Sequence, residues 1–417
     1  MAYFEIDRKE IQSSCNVPFE VQLFPSIFKQ DTLQPRLVYN DLIPFNGKIQ
    51  SDIIYDVCVI GAGVHGTSFS AHLKRWFPKI NFLILDKKER FFEQLFGRCN
   101  NSKTKVFRSP INHQIAPDGC LQLIDYMRLN WGSLTDWEKK SVKCALGSGR
   151  SLTPVDLFIK HAMHIVSQFQ LQEYAVSAGV VKVSSGSNFS KVHTESGEVI
   201  TSKIVIVCTG AIERPIENPE ISANVYGGYS ERTTHMNDGA VSVYGRGMCA
   251  AHKALYYLQK NNDVLWHVNS PISFKCTDFP HKYTRLEGLV EWAAGSENYD
   301  GYNASIIPEF YDVLKPFVTA KQLKFTLKKK QDRESDLSII CSGLSANESV
   351  LIRDRSILEE QVFFSGPNAY YKFGPSVNNF DGARIAIKHY LPEICKKLEF
   401  VLEDTFESFG SKPIKAL

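Results

Sequence analysis

The chain has no excess of charge of either sign: 48 lysines and arginines face 45 aspartates and glutamates, a formal net charge of +3 over 417 residues. With no basic tail or stripe, neither nucleic acid nor an anionic membrane is expected as the main partner. A run of roughly 18 apolar residues is also missing, the longest such stretches being strand-length pieces like the IVIV of 204–207, and this excludes a helical membrane span. The opening MAYFEIDRKE carries Glu5, Asp7 and Glu10 where a secretory signal needs an apolar core, so a cytoplasmic location is expected.

Paired cysteines are absent too. The ten lie singly at 15, 58, 99, 120, 144, 208, 249, 276, 341 and 395, with neither a CxxC pair nor a His/Cys metal spacing. Structural zinc is thereby excluded, no metal site is expected, and a disulfide reductase, which needs two thiols close enough to exchange, is disfavoured. Cys58, Cys208 and Cys341 fall inside apolar strand-like runs and read as small buried hydrophobes. No catalytic triad is recognisable either.

What is present is enough apolar material, 43% of the residues, for more than one core in a chain too long for a single compact domain. Residues 1–52, with Pro18, Pro25, Pro35 and Pro44 among isolated aromatics, read as an irregular extension wrapped on the body. From Ile53 the pattern becomes strand (YDVCVI), glycine turn, helix from about Gly63 to Arg75, and a second strand (NFLILD), which is one βαβ unit. TPVDLFIKHAMHIVSQF then reads as a helix packed on a sheet. The stretch VSAGVVKVSSGSNFSKVHTESGEV reads as a meander, and KIVIVCTG as a buried strand. A second strand–glycine–helix–strand order follows in AVSVYG, AAHKALYYLQK and VLWHVN. Residues 270–330 are mixed, ending in LKKKQDRESD, a solvated connection, before LSIICSG returns as a strand. The expected fold is α/β, two Rossmann-like three-layer domains, the first interrupted by a β-meander. Residues 53–235 and 336–417 form the first domain and 236–335 the second.

Two motifs carry chemistry. In YDVCVIGAGVHG, Gly61 permits a tight turn, Gly63 lets a pyrophosphate approach the backbone at a helix N-terminus, and Gly66 allows close helix packing. Asp86 closes the next strand, where an acid accepts hydrogen bonds from ribose hydroxyls. VYGRGMCAA repeats the arrangement with Gly245, Gly247 and Ala250. Its following strand ends in VNSP without an acid, so nothing repels an adenosine 2′-phosphate, and Arg246, Lys275 or Lys282 can pair with one. NADPH is therefore preferred over NADH, although these three also read as ordinary surface charges. In VFRSPINHQIAPDG, Arg108 reads either as a partner for a pyrophosphate or carboxylate or as part of a polar turn around Pro110. His113 reads either as an acid/base group or as a structural histidine. In FGPSVNNFDGARIAIKHYL, Gly374 and Pro375 lead into a helix, and Asp381 either caps it or binds a ribityl chain.

The order GxGxxG, the CTG of 208–210, GxGxxA, the ICSG of 340–343 and GPSVNNFDGAR resembles a two-dinucleotide-binding flavoprotein. With the VFRSP and TPVDLFIKH segments, the resemblance over about residues 53–390 is to bacterial flavin-dependent oxidoreductases grouped with lysine/ornithine N-monooxygenases and flavin-containing monooxygenases. It implies FAD at Gly61, Ala62, Gly63, Gly66, Asp86 and Lys87. It also implies NADPH at Gly245, Gly247 and Ala250, turns at Gly210 and Gly343 against the cofactors, and closing contacts from Asp381 and Gly382. Asp86 stands where Glu is commoner, and Cys208 and Ser342 replace the alanines of the usual Ala-Thr-Gly turns. The implied activity is a monooxygenase that oxidises a nucleophilic nitrogen or sulfur of a small molecule through a flavin C4a-hydroperoxide, with Arg108 and His113 as candidate catalytic residues. The alternatives are an NAD(P)H-dependent reductase without oxygen activation, and a flavoprotein whose cofactor is structural or sensory.

Overall fold

The computed structural model describes residues 4–15, 21–28, 36–186, 188–216, 224–234, 239–276, 305–326, 336–352, 361–373 and 380–399. Its first sheet runs in the order Ala175–Ser177, Phe82–Asp86, Ile54–Ile60, Val199–Val207 and Val362–Phe364, all parallel. Val57, Cys58 and Val59 in the central strand are fully buried, which explains the unbroken apolar run: a parallel strand is covered on both faces. Helix Val64–Trp76 follows the central strand, and the C-terminal helix Phe380–Leu398 packs against it.

The long strand Val199–Val207 serves two neighbours along one edge. Its first half pairs antiparallel with Ser190–Thr194, the middle of a meander reaching Val180–Ser185, and its second half pairs with Val362–Phe364. The meander thus lies inside the first unit, and the strand that completes the parallel sheet comes from the far end of the chain.

The second sheet is also parallel, in the order Val225–Gly227, Leu337–Ile340, Val241–Tyr244, Val264–His267 and Leu323–Thr326. The boundaries expected at 235/236 and 335/336 fall just outside two of these strands. Both Val225–Gly227 and Leu337–Ile340 hydrogen-bond within the second sheet, so the chain crosses between units at Ala211–Glu213 and Leu344–Ala346, which pair antiparallel with each other. The mixed stretch 270–330 contains a helix, Glu309–Thr319, and the edge strand Leu323–Thr326. A four-residue strand and a helix with Pro316 inside it give weak sequence signals.

The extension is less irregular than its prolines suggest. It holds a helix, Arg8–Cys15, and it inserts Phe4, Ile11, Phe24, Ile27 and Phe28 into the second unit's core, while Leu37 and Leu42 join the first unit's core. Cys276 sits on this helix, its N–H donating to Ser14 Oγ at 3.0 Å, and is disulfide-bonded. A buried ion pair fastens the same region. Arg150 of the first unit grips both carboxylate oxygens of Glu309 in the second, and Glu309 also accepts the Phe24 N–H at 3.2 Å. Removing one member of such a buried pair costs about 3–5 kcal/mol. Among the described residues no helix is long and apolar enough to cross a membrane, and no group of His, Cys, Asp or Glu could hold a metal ion.

Four of the described histidines are buried, and three of them are held well below the ordinary range. Desolvation holds His72 and His161 down at about 4 and His252 at about 3, against small opposing effects from the Ser68 and Leu121 carbonyls that accept from the first two. The unfolded chain therefore takes up protons that the folded chain refuses as pH falls from 6.5 toward 4. Stability is present above that window and lost within it, by up to about 1.4 kcal/mol per pH unit for each histidine. Urea titrations at pH 7, 6 and 5 should show His252→Phe, whose ring would sit between Phe28 and Phe310, losing stability more gently than the parent chain. Parallel losses would mean that His252 is protonated in the folded state.

Candidate functional site

Each glycine-rich turn is built by a strand that ends where backbone meets backbone. Gly61 has φ +112°, and a Cβ there would lie 2.3 Å from the Cys208 carbonyl oxygen. A Cβ on Gly66 would lie 1.7 Å from the Gly61 oxygen, so the helix packs onto the turn only because residue 66 has no side chain. The second turn repeats this geometry: Gly245 has φ +119°, and its Cβ would lie 2.7 Å from the Cys341 oxygen. The CTG and CSG segments are thus the walls against which the two nucleotide-type loops close.

Both loops leave a helix N-terminus open. Gly63 caps helix Val64–Trp76 and Gly247 caps helix Met248–Gln259, and neither helix has a side-chain cap for its first amides. A Cβ on Gly63 would meet nothing within 4 Å, which is the clearance an approaching pyrophosphate needs. Asp86 sits beside it. Its carboxylate accepts the Ala62 N–H at 2.6 Å and the Lys88 N–H at 2.8 Å; burial pushes its pKa up while these two bonds oppose the shift.

A single cavity of about 1540 Å³ joins the two turns, larger than the ~300–1,000 Å³ of an ordinary small-ligand pocket. Gly61, Ala62, Gly63, Asp86 and Lys87 line one end, Gly245, Gly247 and Ala250 the other, with Gly210 and Gly343 on the wall between. Gly66 lies beneath, in the helix packing. Lys87 is exposed and pairs with Glu195 at 2.9 Å.

Other expected site residues lie elsewhere. Arg108 and His113 are not among the cavity-lining residues. Arg108 donates to Ser305 Oγ at 3.2 Å, and that serine lines the cavity, while the His113 N–H closes a turn on the Pro110 carbonyl. Gly382 is buried in the first turn of the C-terminal helix and does not line the cavity, although Phe380 does. The side chain of Asp381, together with Gly374, Pro375 and Lys282, lies outside the described residues. Lys275 pairs with Glu10 of the extension, while Arg246 at the second loop lines the cavity and donates to Ser270 Oγ.

The structure also shows residues that sequence reading missed. His65, one of the variable positions of GAGVHG, lines the cavity and bonds Ser365 Oγ at 2.8 Å, so the C-terminal strand's exit is fixed to the first loop. Thr209 donates to the Asn347 carbonyl at 2.9 Å and accepts from Asn368 at 2.7 Å, clamping the CTG turn to the returning linker. Arg98 donates to the Ala211 carbonyl in the other linker. Two cysteines that look single in sequence, Cys249 and Cys341, bring their sulfurs to one point beside Gly228 on the cavity wall. Partners this far apart along the chain leave no local pattern.

No family model matches the chain, and no curated protein matches it by sequence. Solved structures do match in fold. The ornithine N-hydroxylase of Kutzneria sp. 744, solved with reduced FAD, NADP+ and L-ornithine, has a TM-score of 0.62 at 12% identity, over 83% of this chain and 99% of that one. The ornithine hydroxylase of Pseudomonas aeruginosa gives 0.59 at 13% identity, over 83% and 100%. The bacillithiol disulfide reductase of Staphylococcus aureus gives 0.52 at 14%, over 81% and 98%. The chain therefore has the two-unit Rossmann-like fold of these proteins over nearly their whole length.

The clearances at the first turn separate folding from binding. Gly66→Ala should lower the melting temperature of flavin-free protein by several degrees, because a methyl would overlap backbone. Gly63→Ala should melt like the parent yet purify without yellow colour, its methyl standing in the open space before the helix. Normal flavin content in Gly63→Ala would remove the first loop as the FAD site.

Proposed function

We propose that the chain is an FAD- and NADPH-dependent oxidoreductase, and that it uses oxygen to oxidise a nucleophilic nitrogen or sulfur of a small molecule. The observation that carries this reading is the pair of helix N-termini, each with a glycine N-cap and no side-chain cap, opening on one cavity of about 1540 Å³. Gly63 and the first-turn amides of its helix would hold the FAD pyrophosphate, with Asp86 on the adenosine ribose. Gly247 and its helix would hold the NADPH pyrophosphate. Arg246, bonded to Ser270 just beyond the next strand, would meet the 2′-phosphate.

Bound FAD supplies a two-electron carrier between nicotinamide and oxygen. The chain's own residues supply position and exclusion of water. Cys208 and Cys341 carry the backbone walls that fix the two loops, and Thr209, Asn347 and Asn368 hold the linkers so that both loops face one space. Arg108 serves as a positioning residue that seats Ser305 in the cavity wall. No side chain is needed as a nucleophile. The Kutzneria and Pseudomonas neighbours are described as hydroxylases, which supports oxygen transfer; the Staphylococcus neighbour is described as a reductase, which supports electron delivery to another acceptor as the second reading.

Anaerobic mixing with NADPH should bleach the flavin, with NADH slower by roughly tenfold or more, and Arg246→Ala should erase most of that preference. Admitting oxygen with a panel of amines and thioethers should yield a product heavier by one oxygen atom. Reoxidation without any oxygenated product would favour the reductase, and absence of bleaching by either nucleotide would contradict both.

A further inference from the structure

Cys249 and Cys341 come from different elements. Cys249 lies in the first turn of helix Met248–Gln259, and Cys341 directly follows strand Leu337–Ile340. Their side chains are brought to the same place. Both sulfurs converge on one point: a Cβ on Gly228 would lie 2.6 Å from Cys249 Sγ and 2.7 Å from Cys341 Sγ, so the glycine is what leaves room for the pair. Both residues line the cavity, which gives a small reagent access. Lys253, one turn along the same helix, is fully buried and donates to the Asn101 carbonyl at 2.6 Å and to Thr233 Oγ1. Burial pushes its pKa down to about 8, with the two cysteines acting the other way. The adjoining Cys249 side chain, with burial added, pushes the Cys341 thiol well above the ordinary cysteine range. Lys253 thus stands near both sulfurs, where an ammonium offsets negative charge developing on the one that attacks.

We propose that Cys249 and Cys341 form a redox-active dithiol that closes to a disulfide under hydrogen peroxide, and that the closed form shuts the second nucleotide loop. The Cys249 sulfur attacks one peroxide oxygen and the O–O bond breaks; the thiol proton joins the departing hydroxide as water, leaving a sulfenic acid. The Cys341 sulfur then attacks the Cys249 sulfur, the S–O bond breaks, and the second thiol proton leaves with that hydroxide as water. Two thiols and one peroxide become one disulfide and two waters, the two electrons passing from sulfur to peroxide. The bond would tie the first turn of the helix capped by Gly247 to the segment whose carbonyl abuts Gly245. Closing the loop to NADPH rests on the function proposed above; forming the disulfide does not.

The full-length protein should be treated with about one equivalent of hydrogen peroxide, alkylated, digested without reductant and analysed by mass spectrometry. A cross-linked peptide pair holding Cys249 and Cys341, lost after dithiothreitol, is expected, and Cys249→Ser and Cys341→Ser should each lack it. In the same preparations the rate of flavin reduction by NADPH should fall roughly tenfold or more after peroxide, recover with dithiothreitol, and show no recoverable fall in Cys341→Ser. Absence of the cross-link overturns the dithiol whatever the flavin does. A cross-link with unchanged reduction overturns the gate. Failure of NADPH to reduce the flavin even before peroxide contradicts the reading of the loop, and leaves the dithiol to be decided by the mass spectrum alone.

Discussion

The arrangement depends on two places where backbone touches backbone with no room for a side chain. At Gly61 and again at Gly245 a strand ends, turns through a left-handed residue and presses against the carbonyl of a cysteine on a neighbouring segment. Because the turn is that tight, the next helix starts at the strand's end and aims its free amides outward rather than burying them. Gly66 then lets the first helix settle onto its own turn. Everything of functional interest follows from doing this twice in one chain and facing the two products toward each other.

Facing them is the task of the crossings. The two linkers pair as short antiparallel strands, and Thr209, Asn347, Asn368 and Arg98 bond across them. The buried Arg150–Glu309 pair and the N-terminal extension fasten the units from another side, with Phe24 contributing both a backbone donor and an aromatic ring. The cavity between the loops is therefore framed by polar ties that span the chain from residue 24 to residue 368.

Much of this was legible in the sequence because the physics is local. A parallel strand buried on both faces must be an apolar run, and a loop that abuts backbone must contain glycine, so Ile54–Ile60, Gly61, Gly63, Asp86 and the second set from Val241 stand out unaided. The pieces that escaped are those whose reason lies elsewhere in the chain. Val225–Gly227 is a strand only because Leu337–Ile340 pairs with it. Glu309–Thr319 is helical despite Pro316 because Phe310 and Leu314 bury in a core shared with the extension. Arg108 donates to Ser305, almost two hundred positions away, a contact that no local pattern announces. Cys249 and Cys341 looked solitary for the same reason, since contact is a property of the fold and not of spacing.

The central claim is that two dinucleotides share this cavity, one on each glycine turn. A crystal structure of the protein with FAD and NADP+ tests it most directly. The account predicts one pyrophosphate at the amides following Gly63, with its adenosine ribose on Asp86, and a second at the amides following Gly247, with the 2′-phosphate at Arg246. Density for a dinucleotide on only one turn, or on neither, would contradict it.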